Sequence, residues 1–441
     1  MKKIFILVLT AAMLLTLASC GGATVSSTPK LSDGTVDLMD ASWQKTADGG
    51  AMKAYLKDAH AKSVNKAVTD LSFKLFREIG MEDISSGRNV MLSPVSLISA
   101  MGIVENGAAG ATLESLEKGS GISLDDLNAW YDAWSSTIMA EKDHSLKTAN
   151  SLWFKDDYLD MSEDYLRKVR EVYDADIYGA PFDDSTIEDM NRWADSKTDG
   201  MIHKIVGEEV KKQCLAAMNA VIFDDTWRDK YKEEDVHEHA FFNLENGDRQ
   251  LCTMLTSYDE GWPYFEDENF TGTTRYYKSG YSINLILPKE GMDMADAVDK
   301  LTGEAYRKLI DGTENKNVYL ELPEFSYDYS TETILDKLEA MGIGNLRPGE
   351  ADFSLMTNDP HQLGISFIVQ KTRIELDRKG TKAAAITIVF EEDGCADPGE
   401  DMLRNIILNR PFIFVICDRQ GEPVFIGTMS DITAGTEEDT E

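Results

Sequence analysis

The chain has 441 residues, enough for one large domain or two or three ordinary ones, and its hydrophobic share of 42% is sufficient for a core. Its formal charge of −34 at pH 7 argues against nucleic acid and anionic membrane surfaces as partners and favours basic proteins. The alternative is that the acidity serves only solubility. No internal repeat occurs and no linker composition follows residue 60, so we expect one mixed domain rather than several.

The N-terminus has the pattern of a secretory signal peptide over residues 1–19. Lys2 and Lys3 precede an apolar run that is too short to span a membrane and ends in Leu17-Ala18-Ser19-Cys20. These four residues resemble the lipobox of bacterial lipoproteins, which implies cleavage before Cys20 and a lipid on its sulfur. A plain secretory signal with an incidental cysteine is the alternative. Residues 20–58 are then expected to form a lipid-anchored flexible tether, because Gly, Ser, Thr and Asp are frequent in its first half.

Lipidation would place the protein outside the cytoplasm, anchored to the bacterial cell envelope on its surface or periplasmic side. The lipid would be its sole contact with a membrane. Residues 59–433 are expected to form the folded domain, and residues 434–441 an acidic tail.

Along the domain, helical and strand patterns alternate before strands dominate. Apolar spacing predicts a helix over residues 64–80, and Ser93 followed by Pro94 predicts a side-chain cap and a helix start. Cys214 to Phe223 is nearly all apolar, which is typical of a strand buried on both faces. Asn219 is the one large polar side chain within it, so we expect it to hydrogen-bond to neighbouring elements.

A strand-like segment near the C-terminus has no obvious place in a sheet. It runs from Gly380 to Phe390, and its alternate residues Thr381, Ala383 and Ala385 are small enough to slip into a packed sheet. Loop-forming residues follow over 391–400. An ordinary edge strand followed by a loop is the other interpretation.

Motifs for enzymatic chemistry are missing from the sequence. No nucleophile elbow, zinc-binding helix, Walker loop or dinucleotide fingerprint occurs. His237 and His239 flank Glu238, which is weak spacing for a metal site. We therefore expect no enzyme, no metal and no cofactor.

Four cysteines remain after the signal region. Cys214, Cys252 and Cys417 lie in strand-like apolar contexts and are predicted to be buried thiols, whereas Cys395 lies in the polar loop. Secretion would permit disulfides, but the sequence leaves their connectivity open.

Seven segments in order give the chain a resemblance to the serpin family over roughly residues 60–433. They are Asn89–Ala100, Asn191–Ala194, Asn219 with Trp227, Leu285–Pro288, Leu322–Phe325, Gly380–Thr381 with the following alanines, and Leu408–Phe412.

The resemblance implies an α+β serpin-like fold. Such a fold has a large central antiparallel or mixed sheet, additional sheets, about eight or nine helices and an exposed reactive loop near the C-terminus. It also implies a suicide-substrate inhibitor of serine proteases, with cysteine proteases as a further class of target, that contributes no catalytic residue. The target protease cleaves the loop, which then inserts into the central sheet as a new antiparallel strand. We expect a monomer.

The family pattern assigns roles to residues of this chain. The loop hinge would be Gly380, Thr381, Lys382, Ala383, Ala384 and Ala385. The region where the sheet opens would comprise Ser93, Ser96, Asn219, Trp227 and Gln370.

Several residues depart from the family pattern. Lys382 and Arg378 each replace an expected glutamate, and Gln370 replaces a buried histidine near Ser93, Ser96 and Asn219. Asp224, Asp225 and Thr226 replace the usual lysine and glycine before the tryptophan. These departures bear on the metastability of the native state rather than on the fold.

The scissile bond is expected between Glu392 and Glu400. Counting from the hinge gives Gly394–Cys395, whereas counting back from Pro411 gives Glu400. A small residue before the bond suits elastase-like or subtilisin-like proteases. Nearby acids would suit a protease that prefers acidic residues.

A non-inhibitory serpin-fold surface binding protein is the alternative function. Arg378, Ile386 and the late acids Glu391 and Asp393 favour it, because the acids would face inward during insertion.

Overall fold

A computed structural model of the chain describes residues 30–331, 334–344, 346–358, 363–365, 368, 370–381 and 403–433. Ten α-helices lie among these residues, slightly more than the eight or nine expected. They are α1 (Ala51–Tyr55), α2 (Ala59–Ser85), α3 (Pro94–Glu105), α4 (Gly110–Ser120), α5 (Leu124–Met139), α6 (Glu163–Tyr173), α7 (Asp184–Lys197), α8 (Met294–Lys300), α9 (Gly303–Asp311) and α10 (Ile334–Ala340).

The same part of the chain contains seventeen strands. They are β1 (Val36–Asp37), β2 (Val90–Leu92), β3 (Leu146–Phe154), β4 (Ala175–Gly179), β5 (Leu215–Phe223), β6 (Asp225–Thr226), β7 (Val236–Asn243), β8 (Arg249–Glu266), β9 (Phe270–Tyr276), β10 (Ser282–Pro288), β11 (Glu314–Pro323), β12 (Phe325–Thr331), β13 (Gln370–Asp377), β14 (Gly380–Thr381), β15 (Arg404–Ile407), β16 (Phe412–Cys417) and β17 (Pro423–Met429).

The strands form three sheets. The largest has nine strands, in the order β15-β11-β8-β9-β10-β16-β17-β2 with β7 paired to β8. Two four-stranded sheets have the orders β1-β4-β3-β5 and β12-β13-β14-β6. They meet where β6 follows β5 along the chain and pairs with β14.

β5 and β13 are the facing edges of the two smaller sheets. They approach each other in space, yet no β-ladder joins them among the residues that the structure describes. We call the space between them the gap. Its closed end is where β14 pairs with both β13 and β6. Its open end is the end nearer Leu215, the first residue of β5, and we call this direction down.

Burial along β5 reflects this gap. The strand is buried over its last four residues, but Leu215, Ala216 and Ala217 are only half-buried. The prediction that β5 is buried on both faces therefore holds only for its last four residues.

Two apolar cores hold the central strands in place. The main one packs α2, α3 and α5 against the strands and includes the stacked rings of Trp130 and Trp134, 5.9 Å apart. The second lies between α7 and the β3–β4 face, where Trp153 and Trp193 are both fully buried. The β1-β4-β3-β5 sheet is thus covered on both sides.

The segment over residues 30–58, part of the predicted tether, contacts the domain in the structure. β1 pairs antiparallel with β4 and extends that sheet at the edge away from the gap. The backbone N–H and hydroxyl of Ser32 donate to the buried carboxylate of Asp189. The buried ammonium of Lys45 pairs with Asp132 and donates to the carbonyl of Val172 at 2.8 Å.

Candidate functional site

Gly380 and Thr381 form the two-residue strand β14, which lies between β13 and β6. Gly380 pairs with Asp377 and Thr226, and Thr381 pairs with Leu376 and Asp225, antiparallel on both sides. The first two residues of the predicted hinge therefore already occupy the closed end of the gap.

Glycine is required at position 380 by close packing. A Cβ atom there would lie 2.0 Å from the carbonyl oxygen of Asp225 and 2.6 Å from the Cα of Thr226. In the turn before it, the Asp377 carboxylate accepts from the backbone N–H groups of Lys379 (2.7 Å) and Gly380 (3.1 Å). The sequence predicted glycine for a sharp hinge, and in the structure its role is to let two strands approach.

Aromatic side chains seal the closed end. The hydroxyl groups of Tyr277 and Thr381 are hydrogen-bonded at 2.6 Å, and Trp227 stacks on Tyr277 with ring centroids 4.6 Å apart. The indole N–H of Trp227 donates to the Asp377 carbonyl at 2.8 Å, and its backbone N–H to the Lys379 carbonyl at 2.8 Å. Burial raises the pKa of the Tyr277 phenol, which therefore stays protonated. Trp227 thus fixes the turn from which the hinge starts.

Arg378 has a partner that the sequence did not identify. Its guanidinium donates to both carboxylate oxygens of Glu324, at 2.8 and 3.0 Å, and its backbone N–H donates to the same group at 2.9 Å. Hydrogen bonding to Glu324 raises the pKa of the arginine. A cation thus stands where a glutamate was expected, and an anion between β11 and β12 balances it.

A polar cluster lies beneath the open end. The amide N–H₂ of Asn219 donates to the hydroxyl of Ser99 (3.0 Å) and the side-chain carbonyl of Asn150 (2.7 Å). Asn150 in turn donates to the Tyr131 hydroxyl at 3.1 Å and the Tyr173 carbonyl at 2.7 Å. The prediction that Asn219 ties elements together is confirmed, and Ser99 and Asn150 are the partners that the sequence did not reveal.

Two buried oxygens near this cluster have no hydrogen-bond partner among the described residues. They are the side-chain carbonyl oxygen of Asn219 and the hydroxyl of Ser93. Unpaired polar groups in a buried position cost free energy. Hydrogen bonding below the closed end is therefore incomplete among the described residues.

Gln370 and Ser93 join β13 to the start of α3. The Gln370 amide accepts from the Ser93 backbone N–H and donates to the Ser93 carbonyl, both at 3.0 Å. The Ser93 side chain makes no cap hydrogen bond, so the predicted side-chain cap is wrong, whereas Pro94 begins the helix as expected. Ser96 takes part through its carbonyl, which accepts from Ser99 at 2.8 Å. Gln370 thus contacts Ser93 as predicted, while Asn219 bonds to other residues.

An apolar cavity of about 60 Å³ extends below the polar cluster. Ala217 and Met218 of β5, Leu97 and Met101 of α3, and Ile334 of α10 line it. The cavity lies at the open end, so a strand placed between β5 and β13 would cover it.

The remaining predicted site residues fall outside the described residues. They are Cys20, Lys382, Ala383, Ala384, Ala385, Gly394 and Cys395.

The cysteines that the structure describes are free thiols. Cys417 is buried, which raises its pKa to about 12, whereas Cys214 and Cys252 are only half-buried. The prediction of buried thiols is thus confirmed for Cys417 alone. Over the described ranges, no group of three or more His, Cys, Asp and Glu side chains could hold a metal ion. In the same ranges no helix has the length and apolar character needed to cross a bilayer.

Known proteins share both this sequence pattern and this fold. The family model described as Serpin (serine protease inhibitor) matches residues 66–432. An uncharacterised serpin-like protein of Thermococcus kodakarensis is 28% identical over 387 residues, covering 85% of this chain and 87% of that protein. The plasma serine protease inhibitor of Mus musculus is 26% identical over 372 residues, covering 82% and 89%.

Solved structures agree. The native state of the thermophilic serpin tengpin is 33% identical, with a TM-score of 0.79 over 90% of this chain and 100% of that one. Thyroxine-binding globulin in complex with thyroxine has the same fold at 20% identity, with a TM-score of 0.72 over 84% and 99%. Family match, fold and the arrangement of hinge and gap agree, and the chain belongs to the serpin family.

Proposed function

We propose that this protein is a suicide-substrate inhibitor of serine proteases, whose loop is cleaved and then inserts into the gap between β5 and β13. The observation that carries the proposal is the double pairing of Gly380 and Thr381 at the closed end, above an unpaired gap. Insertion would continue a strand that has already begun.

The observed register supplies the positions of the following residues. Both pairings are antiparallel. For each residue beyond Thr381, the expected partner is therefore one residue earlier in β13 on one side, and one residue earlier in the β5–β6 segment on the other. With this register continued, Ala385 would lie between Thr372 and Val221, facing inward like Thr381. Small inward residues at these positions favour insertion, because the core beneath is already packed.

The same register brings Thr387 between Gln370 and Asn219. Its hydroxyl could then donate to the Asn219 carbonyl oxygen, which has no partner among the described residues. Val389 would lie between Ala217 and Ile368, both of which line the apolar cavity. Insertion would therefore satisfy a buried polar atom and cover apolar surface, and both changes favour the inserted state.

The scissile bond is proposed at Gly394–Cys395, within the range Glu392 to Glu400. With the register continued, residue 392 would lie opposite Cys214, at the lower end of β5, so a protease attached just beyond it would be carried the full length of the strand. A small residue before the bond suits elastase-like or subtilisin-like serine proteases, with cysteine proteases as a further class.

Covalent complex formation tests the inhibitory function. The chain is mixed with elastase, subtilisin, trypsin and chymotrypsin, and the mixtures are run on a denaturing gel. We expect a complex larger than the protease with at least one of them, and mass spectrometry of the released peptide identifies the bond. No complex with any member of the panel would contradict the proposal.

A non-inhibitory binding function is favoured by a specific feature of the loop. If the register continued, Glu391 would lie opposite Leu215 and face inward, where an unpaired charge would oppose insertion. The two functions differ in their response to heat, so the loop is cleaved by a protease and the melting temperature is measured. A large rise indicates insertion, whereas no rise indicates the binding function.

We also propose that the protein is a lipoprotein of a bacterial cell envelope, anchored through Cys20. The sequence Leu17-Ala18-Ser19-Cys20 supports this proposal. Expression with a Cys20→Ser change should release the protein into the soluble fraction, while the unchanged chain should partition into detergent. Equal partitioning of both chains would contradict the lipid anchor.

A further inference from the structure

Arg275 carries a buried positive charge close to the closed end of the gap. Its side chain is 3% exposed, and the only other buried basic residue among the described ranges is Lys45. A buried charge costs free energy unless it is paired and hydrogen-bonded. The guanidinium of Arg275 is paired with the carboxylate of Asp259 in β8 at 3.0 Å. Arg275 lies near the end of β9, which leads directly into Tyr277, so this charge is balanced within the fold and close to the residues that seal the gap.

Arg275 holds an irregular segment of the chain, residues 227–231, which is neither helix nor strand. A second N–H group of its guanidinium donates to the backbone carbonyl of Asp229 at 3.0 Å. The guanidinium also lies over the ring of Tyr231, 5.0 Å from the centroid. A cation over an aromatic ring is attracted to it, and more strongly when both are removed from water. One buried side chain thus binds both a backbone group and a ring of this segment.

Backbone hydrogen bonds hold the start of the same segment against the end of β9. The N–H of Lys278 donates to the carbonyl of Thr226 at 2.8 Å, and the N–H of Arg228 donates to the carbonyl of Tyr276 at 3.0 Å. The bond from Arg275 to Asp229 is the next attachment along the chain. Since it comes from a side chain, a substitution can remove it without removing a backbone group.

Trp227 connects this segment to the hinge. Its ring meets the ring of Tyr231 edge to face, with centroids 6.4 Å apart. Its backbone N–H and indole N–H donate to the carbonyls of Lys379 and Asp377, both at 2.8 Å. These two carbonyls belong to the turn that leads into β14. A continuous series of contacts therefore runs from Arg275 through Tyr231 and Trp227 to the strand that begins the insertion.

We propose that Arg275 is a positioning residue for loop insertion, which acts through Tyr231 and Trp227 to keep Gly380 and Thr381 paired at the closed end of the gap. The inference rests on the proposed inhibitory function. Until the cleaved loop inserts, water can hydrolyse the ester that joins it to the protease serine. A hinge that is not held in place delays the start of insertion, so that more inhibitor molecules are consumed for each protease trapped.

Hydrogen–deuterium exchange, read by mass spectrometry, tests the positioning role without any protease. The variant Arg275→Met keeps an unbranched side chain but removes the charge and the N–H donors. We expect the backbone N–H groups of residues 377–381 to exchange about tenfold faster than in the unchanged chain. The reason is that exchange reports the free energy of local opening, and a hydrogen bond from a charged donor contributes to it.

Lys45→Met is the matched control. Lys45 is also buried, pairs with one carboxylate, that of Asp132, and donates to one backbone carbonyl, that of Val172. These partners lie in α5 and α6, away from β14. The control should lower the melting temperature, as loss of a buried ion pair does, and leave exchange over residues 377–381 unchanged.

Arg275→Lys is the variant that keeps the fold. It retains a charge beside Asp259, but an ammonium group lacks the flat face that lies over the ring of Tyr231. We expect exchange over residues 377–381 to be about threefold faster than in the unchanged chain. With a protease that forms the covalent complex, we expect about threefold more inhibitor molecules to be consumed per protease. This variant decides the question if Arg275→Met does not fold.

The outcomes separate the positioning role from a purely structural one. Unchanged exchange over residues 377–381 in the Arg275 variants, or an equal increase in Lys45→Met, would overturn the proposal and leave the inhibitory function intact. Faster exchange with an unchanged number of inhibitor molecules per protease would also overturn it, because the hinge would then not govern insertion. If the unchanged chain forms no complex with any protease, the inhibitory function is contradicted, and the role of Arg275 in it as well.

Discussion

The two ends of the gap differ in how completely their strands are paired and their polar groups hydrogen-bonded. At the closed end, Thr381 has strands on both sides, and Trp227 and Tyr277 are stacked and hydrogen-bonded. At the open end, the facing edges of β5 and β13 have no strand between them over the described residues, and the Asn219 carbonyl oxygen has no partner there. Strand pairing is thus complete at the closed end and incomplete at the open end. This difference indicates where free energy would be gained on insertion, since the incomplete part is the one that a new strand would fill.

The largest expected effect comes from blocking the open end. Ala385→Arg would bring a charge inward between Thr372 and Val221, whereas Ala384→Arg would face solvent in the continued register. Because a buried unpaired charge costs several kcal/mol, we expect Ala385→Arg to reduce covalent complex formation more than about 100-fold. Gel analysis with the inhibited protease measures this effect.

The neighbouring variant is the control for that change. Ala384→Arg should form complex at close to the unchanged level, since its charge stays in water. Equal behaviour of the two variants would mean that the register does not continue below Thr381.

Loss of the Trp227 contacts at the closed end should have the second largest effect, a decrease in the stability of the native protein. Trp227→Ala deletes the stack on Tyr277 and the hydrogen bond to the Asp377 carbonyl. We expect a loss of about 3–5 kcal/mol in the free energy of unfolding, measured by denaturant titration. Trp262→Ala, a half-buried tryptophan on the nine-stranded sheet, should cost clearly less. A comparable loss in both would show that Trp227 has no special role at the gap.

The helix beneath the open end contains a buried acid whose ionisation should weaken the fold. Both carboxylate oxygens of Glu105 in α3 are without a partner among the described residues, and burial, together with the charge of Glu117, raises its pKa to about 8. A folded pKa above the unfolded value gives stability that is complete below about pH 4.5 and is lost as pH rises through about 8.

The Glu105→Gln variant isolates this effect. It should be more stable than the unchanged chain at pH 8.5, on the order of 3 kcal/mol, and the difference should vanish near pH 4.5. Thermal unfolding across this pH range measures it. A constant difference between the two chains at all pH values would exclude ionisation of Glu105 as the cause.

The smallest expected effect concerns the ion pair beside the hinge. Arg378 and Glu324 are partly exposed, so their pairing is worth about 1 kcal/mol. Arg378→Glu should lower the melting temperature slightly, because it places two carboxylates together. The exchange Arg378→Glu/Glu324→Arg should restore most of the loss, and failure to do so would mean that the orientation of the pair matters more than its charge.

Residue pattern alone predicted some features of the candidate site, and the hydrogen bonds of Asn219 confirm one of them. The alternation of small residues after Gly380 predicted an insertable strand, and Asn219 was identified as a polar residue in an apolar strand that must find partners. Both inferences depend on local chemistry: strand side chains alternate, and buried amides need hydrogen bonds. The order of the family segments predicted the fold for the same reason, since each segment keeps its own local pattern.

The partners themselves were decided by the tertiary structure. The hydrogen bonds between Ser93 and Gln370 join residues 277 positions apart, and Glu324 is 54 positions from Arg378. No local pattern specifies such pairs, because many carboxylates and amides along the chain could serve equally well. The pairing of β1 with β4 was likewise not predictable from local pattern, because it depends on a sheet edge that exists only in the folded chain. The sequence by itself predicted an insertable strand of small residues after Gly380, and the folded structure decided the position of Gly380 and Thr381, because it fixes the two strand edges between which they lie.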